Sequence, residues 1–409
     1  MRNLGGKQLV AAACLAHIFS LAGIGTFPAL VPLFFDVWGL SNTEAGWISG
    51  IYYGGYAVAV PILAGLTDRM DARRVYMASA ALGAVALAAF ALLANGFWSA
   101  LTLRTLAGVA LAGTYMPGLK MLTDRVEAKN QSRMVAFYTA SFGLGSSLSI
   151  WMAGAVADIA PWRWAFAAAA LGSLAALATV ALTVAPHAPV ARASASVARF
   201  LDFRPVFRNR AAMAYVLAYC AHCWELLGFR AWFVAFLTFS ATLQAPGATI
   251  WSATATAAVI NLLGVPASIL GNELAVRFGR RRTASVVMLA SAAVSLAIGF
   301  TAFLPYVLVV ALLMVYGILV TGDSATVTAG AVAAATPENR GAVMAIHSAV
   351  GFATSFFGPL FFGIVLDVAG GNESLLAWGL GFAAMGLGVA LGPLALAWLA
   401  PREGEKAAA

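Results

Sequence analysis

Several ionisable side chains stand inside runs of apolar sequence: His17, Arg104, His222, Glu225, Arg230 and Asp323. An ionised group facing hydrocarbon costs at least about 2.5 kcal/mol, so each of these needs a reason to be there. His222 and Glu225 are three apart and share a helical face. Arg230 follows Glu225 by five residues, about 140° around a helix, and His222 by eight, about 80°. Imidazole and carboxylate groups in such a helix can take up and release a proton, and a guanidinium can attract an anion. Asp323, followed by Ser324 and Thr326, is a second candidate protonation site. Arg104 falls on one face with Gly108, Leu111 and Tyr115. It either serves a ligand or proton or bonds helix carbonyls. Lys120 lies about 160° from Arg104 and four residues before Asp124, a placement that suits a snorkelling side chain. Asn261, Tyr53, Tyr138 and His347 are further polar residues that could line a cavity. Cys14, Cys220 and Cys223 also sit in apolar runs. The Cys220-Ala221-His222-Cys223 spacing resembles a metal site only superficially, and no metal is expected.

The elements that position these groups follow from composition. The chain has 409 residues, 62% hydrophobic and 10% charged, with a mean hydropathy of +0.88. Soluble domains carry about 25% charged residues, so a water-soluble enzyme is excluded. Disorder is excluded as well, because it needs low hydrophobicity and high charge. A span takes about 20 apolar residues. Twelve are expected, near 9–35, 45–66, 75–94, 98–122, 134–156, 164–184, 212–238, 250–272, 284–303, 306–333, 342–366 and 375–399. The first run is too long for a signal peptide. The only long polar stretch is 187–210, with Arg192, Arg199, Arg204, Arg208 and Arg210. The expected fold is an all-α membrane protein with two six-helix bundles, 1–185 and 212–409, joined by a linker at 186–211.

Charge placement gives the topology. The net charge is +8. With the N-terminus in the cytoplasm, 20 of the 24 Lys and Arg fall in inner segments and only Arg163 in an outer loop; Arg104, Lys120 and Arg230 lie within spans. That asymmetry puts both termini inside. The positive charge therefore reports topology and not a nucleic-acid partner. The halves also repeat each other. Ala16-His17 and Gly23 match Ala221-His222 and Gly228 at an offset of 205. Leu66–Arg69 matches Leu274–Arg277 at 208. Gly108, Gly113, Gly154 and Asp158 match Gly317, Gly322, Gly363 and Asp367 at 209. Duplicated halves of this kind are a transporter architecture.

The loop after the second span reads Ala64-Gly65-Leu66-Thr67-Asp68-Arg69-Met70-Asp71-Ala72-Arg73-Arg74. It resembles the major facilitator signature Gly-x-Leu-x-Asp-Arg-x-Gly-Arg-Arg, with Leu66, Asp68, Arg69 and Arg73 in register and Asp71 at a glycine position. The second-half copy keeps Arg277, Arg280 and Arg281 but has Val276 at the acid position. Arg104 to Gly108 resembles that family's fourth-span signature. The resemblance covers the whole chain. It implies a secondary transporter with a substrate site between the halves. It also implies a conformational latch at Asp68, Arg69, Arg73, Arg277 and Arg281, and a cavity lined by Arg104, His222, Glu225, Arg230, Asp323, His17, Asn261 and Tyr53. The expected role is proton-coupled movement of a small polar or anionic metabolite. The rival is a proton-driven exporter of drugs or toxic compounds. Gly143–Ser147 lacks the Gly-Pro pair typical of such exporters. A non-transporting receptor with a carrier fold is the third reading. No phosphate-binding loop is present, so the driving force is expected to be a proton gradient, with no cofactor. No nucleophile and base pair appears in the spans, so no enzymatic activity is expected. Arg outnumbers Lys 20 to 4, which suggests a GC-rich bacterium and its inner membrane. The expected partners are a small-molecule substrate and the lipid bilayer, with the protein a monomer.

Overall fold

In bilayer hydrocarbon a backbone must satisfy its own polar groups, and Ala- and Leu-rich segments do so as helices. The structure, a computed structural model, describes residues 6–126, 128–187, 204–249, 251–336 and 339–399, with backbone alone at 128–133. Most of the expected linker, together with Arg2, Arg192, Arg199, Arg402 and Lys406, lies outside the described residues.

The described residues are helical, without strands. The first six spans are α1 (Gly6–Ser20) with α2 (Thr26–Ala29) and α3 (Val31–Trp38), then α4 (Asn42–Leu66), α5 (Ala72–Leu93), α6 (Phe97–Thr123), α7 (Ala128–Ala157) and α8 (Arg163–Thr183). A short α9 (Arg204–Arg208) precedes α10 (Arg210–Thr242), α11 (Ala253–Phe278) and α12 (Arg280–Ile298). Then come α13 (Tyr306–Gly322), α14 (Ser324–Ala334), α15 (Arg340–Val368), α16 (Leu375–Val389) and α17 (Leu391–Leu399). Ten spans among the described residues are long and apolar enough to cross a bilayer. The other two expected spans are the broken α1–α3 and the 27-residue α6, which carries Arg104 and Lys120.

The helices form two compact units. One comprises residues up to Leu40, Trp47–Ser194 and Trp251–Leu262; the other comprises Ser41–Gly46, Ala195–Ile250 and the chain from Leu263 onward. In the first, α5 packs on α6 and α8, and α1 packs on α6, α7 and α8. Its core includes Val10, Ala13, Tyr76, Met121, Tyr138 and Val180. In the second, α10 is central, packed by α14, α15, α16 and α17. Its core includes Ala214, Ala218, Met288, Val327, Val389 and Leu396. Helix starts are capped by side chains: Asn209 accepts from Ala212 N, and Ser374 from Ala377 N. Asp367, near the end of α15, caps the start of α4 by accepting from Asn42 N at 3.1 Å and Thr43 N at 2.7 Å.

Two interruptions break the helical spans at positions that bear on the polar groups inside them. The first is at 21–25, where Gly23, Gly25 and Pro28 break the first span. Pro28 has no N–H to give the Ile24 carbonyl four residues back, so that oxygen needs another donor. The second is at Asp323, between α13 and α14.

Candidate functional site

Arg104 answers the first interruption. Its side chain is buried, 1% exposed. One guanidinium nitrogen donates to Gly23 O at 2.8 Å and another to Ile24 O at 3.4 Å. The group also lies 4.2 Å from the Tyr52 ring centroid and 5.9 Å from that of Phe27. Ser149 completes the repair, accepting from Gly25 N at 3.0 Å and donating to Ala22 O at 2.6 Å. Of the two roles open to Arg104 from sequence, bonding helix carbonyls is the one its hydrogen bonds serve here. Tyr53 is buried and meets Tyr52 edge-on at 5.5 Å.

His17 lies in the same unit, fully buried. Its Nδ1 is 2.8 Å from Ser141 Oγ. Ser141 donates its own proton to Tyr138 O at 2.6 Å, so its oxygen is the acceptor and His17 carries hydrogen on Nδ1. Nε2 is then a bare lone pair, buried without a partner among the described residues. The imidazole stacks on Tyr138 at 4.3 Å and Tyr115 at 5.3 Å. Tyr138 Oη donates to Thr114 O at 2.9 Å. Asn261 of α11 donates from Nδ2 to Ser146 and Ser147 of α7, at 2.9 and 2.8 Å.

The second unit holds the ionisable cluster. His222 in α10 and Asp323 at the α13–α14 break approach to 2.8 Å, Nδ1 to Oδ1, with side chains 2% exposed. The second oxygen, Asp323 Oδ2, is buried and has no hydrogen-bond partner among the described residues. Gly271 of α11 packs so closely that a Cβ there would run into the Gly322 carbonyl. Glu225, one turn beyond His222, is held by two hydroxyls: Ser291 Oγ at 2.9 Å and Tyr316 Oη at 3.0 Å, both donating to Oε1. Arg230 is half-buried. The structure therefore joins His222 to Asp323, two residues 101 apart in sequence, and places Glu225 among hydroxyls.

The residues of the expected latch lie at helix ends. Asp68 is exposed in the turn after α4 and makes no ion pair among the described residues. Arg69 is exposed as well. Asp71, three residues on, is the bonded acid. It pairs with Arg125 at 2.8 Å and accepts from the backbone N–H groups of Arg73 and His187 at 3.0 and 2.9 Å. Burial raises its carboxyl, but Arg125 and those N–H groups together outweigh it and hold the pKa below the ordinary carboxylate value. Arg73 donates to Ala181 O at 3.0 Å. Arg277 lies over the Phe278 ring at 5.2 Å, and Arg281 donates to Ala397 O at 3.3 Å. Lys120 pairs with Asp124 at 2.9 Å, four residues on. Among the described residues no cluster of His, Cys, Asp and Glu is arranged to hold a metal.

Sequence reasoning did not single out Asp71, Ser141, Ser149, Ser291, Tyr219 or Tyr316 as functional. Asp71 carries a visible signal, since it stands where the signature has glycine. The hydroxyl partners carry none, because one Ser among apolar residues looks the same whether or not a carboxylate faces it.

The family description "Major Facilitator Superfamily" matches residues 13–359. No curated protein matched the chain. Among solved structures, a D-xylose-proton symporter is similar at 14% identity, covering 96% of this chain and 97% of its own, with a TM-score of 0.77. An inward-facing, unoccupied bacterial homologue of the human lysosomal transporter Spinster is 15% identical, with coverage of 97% and 95% and a TM-score of 0.74. The nucleoside transporter NupG is 17% identical, with coverage of 96% and 98% and a TM-score of 0.71. At these identities the likeness is one of fold.

Proposed function

Because the chain belongs to the major facilitator superfamily, a family of membrane transporters, we propose that it moves a small polar or anionic metabolite by alternating access, coupled to protons at His222 and Asp323. The observation that carries this reading is their 2.8 Å contact in the interior of an apolar unit. With one proton on His222 Nδ1 and none on Asp323 the pair carries a net negative charge, which is costly to hold away from water. Taking up one more proton makes the pair neutral overall, as imidazolium with carboxylate or as imidazole with carboxylic acid. The two states differ by a full charge, so a change in water access to the pair changes its proton affinity. An interrupted helix is a usual place for such a site, and Asp323 lies at one. Arg104 supports the scaffold through Gly23 and Ile24. The charge asymmetry of the loops supports cytoplasmic termini in a bacterial inner membrane.

The similar structures include a sugar-proton symporter and a nucleoside transporter, which guides the choice of probes. Purified protein in liposomes is offered radiolabelled xylose, uridine, adenosine, lactate and succinate, with and without an imposed pH gradient. The expected result is uptake of at least one, accelerated by the gradient. Gradient-insensitive uptake of every transported probe would overturn proton coupling, and uptake of none would overturn the substrate class.

A further inference from the structure

The internal duplication reaches further than glycines and loop charges. His17 and His222 are equivalent at an offset of 205. At an offset of 209, Tyr138 is equivalent to His347 and Thr114 to Asp323. In the first unit these positions form a connected group: His17 stacks on Tyr138, and Tyr138 Oη donates to the Thr114 carbonyl. Beyond its histidine that group has no side chain that ionises near neutrality. In the second unit the same three positions are His222, His347 and Asp323, three side chains that can each hold or release a proton.

We propose that His347 is the third member of the coupling site, a second imidazole that takes up a proton beside the His222–Asp323 pair. This rests on the proton-coupled reading above and adds to it a residue that reading does not use. His347 is 2% exposed. Its Nε2 faces Thr328 Oγ1 at 3.3 Å, and Thr328 donates its hydrogen to Ser324 O at 3.0 Å. The Thr328 oxygen is therefore the acceptor, Nε2 carries the imidazole hydrogen, and Nδ1 is left as a lone pair. That lone pair is buried without a partner among the described residues. A proton added there forms one N–H bond and takes the ring from neutral to +1.

The ring geometry supports the connection. His347 stacks on Tyr219 at 3.9 Å and 17°, and Tyr219 stacks on His222 at 5.7 Å and 22°. An imidazolium over a tyrosine face is favoured by the ring's quadrupole. Gly351, one turn beyond His347, makes room for this: a Cβ there would run into the Tyr219 ring. The titratable and charged groups on the helices packed against α15 are these. Helix α10 carries Arg210, Tyr215, Tyr219, Cys220, His222, Cys223, Glu225 and Arg230, Asp323 immediately precedes α14, α9 carries Arg204 and Arg208, and α16 carries no titratable side chain. On α15 itself the charged residues are Arg340 and Asp367, one at each end.

The chain has four histidines, which makes a direct test feasible without a known substrate. Full-length protein with 15N-labelled histidine is placed in lipid nanodiscs, and the ring nitrogens are followed by NMR from about pH 5 to 9. Single His→Gln variants assign the four signals. The expected result is that His347 titrates within this window and that Asp323→Asn lowers its proton affinity by about threefold or more. His347→Gln is expected to move the His222 titration by a similar factor. If His347→Gln fails to fold, His347→Tyr supplies the residue of the equivalent first-half position, and the Asp323→Asn arm reads His347 itself. The proposal is overturned if His347 stays neutral throughout and its replacement leaves His222 unmoved. If Asp323→Asn leaves the His222 titration unmoved, the pair itself fails, and with it the reading on which this one rests.

Discussion

Replacing Arg104 by alanine removes the donors of both carbonyls freed where the first span unwinds. Hydrogen bonds between helices in membranes average only about 0.6 kcal/mol, because most freed groups find another partner. Here they do not: Pro28 lacks the N–H that would serve Ile24 O, and Gly23 O lies in the same unwound turn. A bond to a charged donor contributes about 1.5–3 kcal/mol, with the 3.4 Å contact at the weaker end. The stacking of the guanidinium on Tyr52 adds about 1–2 kcal/mol in a desolvated site. The expected loss is about 4–6 kcal/mol, or about 8–24 °C in apparent Tm for a unit of roughly 200 residues. Arg104→Lys keeps the charge but not the planar fork that reaches two oxygens, so about half the loss is expected. Thermal unfolding in detergent, followed by loss of the monodisperse peak, reads both variants. A parental Tm for Arg104→Ala together with abolished uptake would refute the reasoning and make Arg104 a ligand-binding group.

The Asp71–Arg125 pair makes a pH-dependent prediction. The folded-state pKa of Asp71 is depressed, so its contribution is complete above about pH 4, the unfolded value, and is lost as pH falls through the folded value. Asp71→Asn should therefore cost about 1–3 kcal/mol of stability at pH 7, with the gap to the parent closing in acid; a gap that widens in acid would contradict the assignment. At the second interruption, Gly271→Leu forces a side chain into the Gly322 carbonyl, and overpacking of this kind costs about 1–3 kcal/mol or more. Circular dichroism melts should show the loss, and an unchanged melt would mean that α11 moves aside freely.

Much of the architecture was legible because the bilayer imposes it. Run length suffices to place the spans, ten of which are long and apolar enough to cross a bilayer among the described residues. The candidate groups were legible too, since a His, Glu, Arg or Asp in an apolar run stands out. Their partners were not. Helical angles set His222 beside Glu225, yet the structure bonds His222 to Asp323, 101 residues away. Helical spacing reports neighbours on one helix and is silent on which helix faces it. The signature loop drew attention to Asp68, whereas Asp71 is the acid that Arg125 and two backbone N–H groups hold. The break at 21–25 was foreshadowed by two glycines and a proline, but its repair by Arg104 and Ser149 depends on helices 80 and 124 residues distant.

Proton coupling at Asp323 is tested most directly by removing its charge. Asp323→Asn keeps the shape and the hydrogen bond to His222 while it abolishes the carboxylate. With the transported probe identified, two fluxes are measured in the same liposomes: exchange of labelled for unlabelled probe at equal pH, and accumulation driven by a pH gradient. The variant is expected to exchange at a rate near the parent's and no longer to accumulate. Gradient-driven accumulation at the parental level would contradict a proton carried at Asp323.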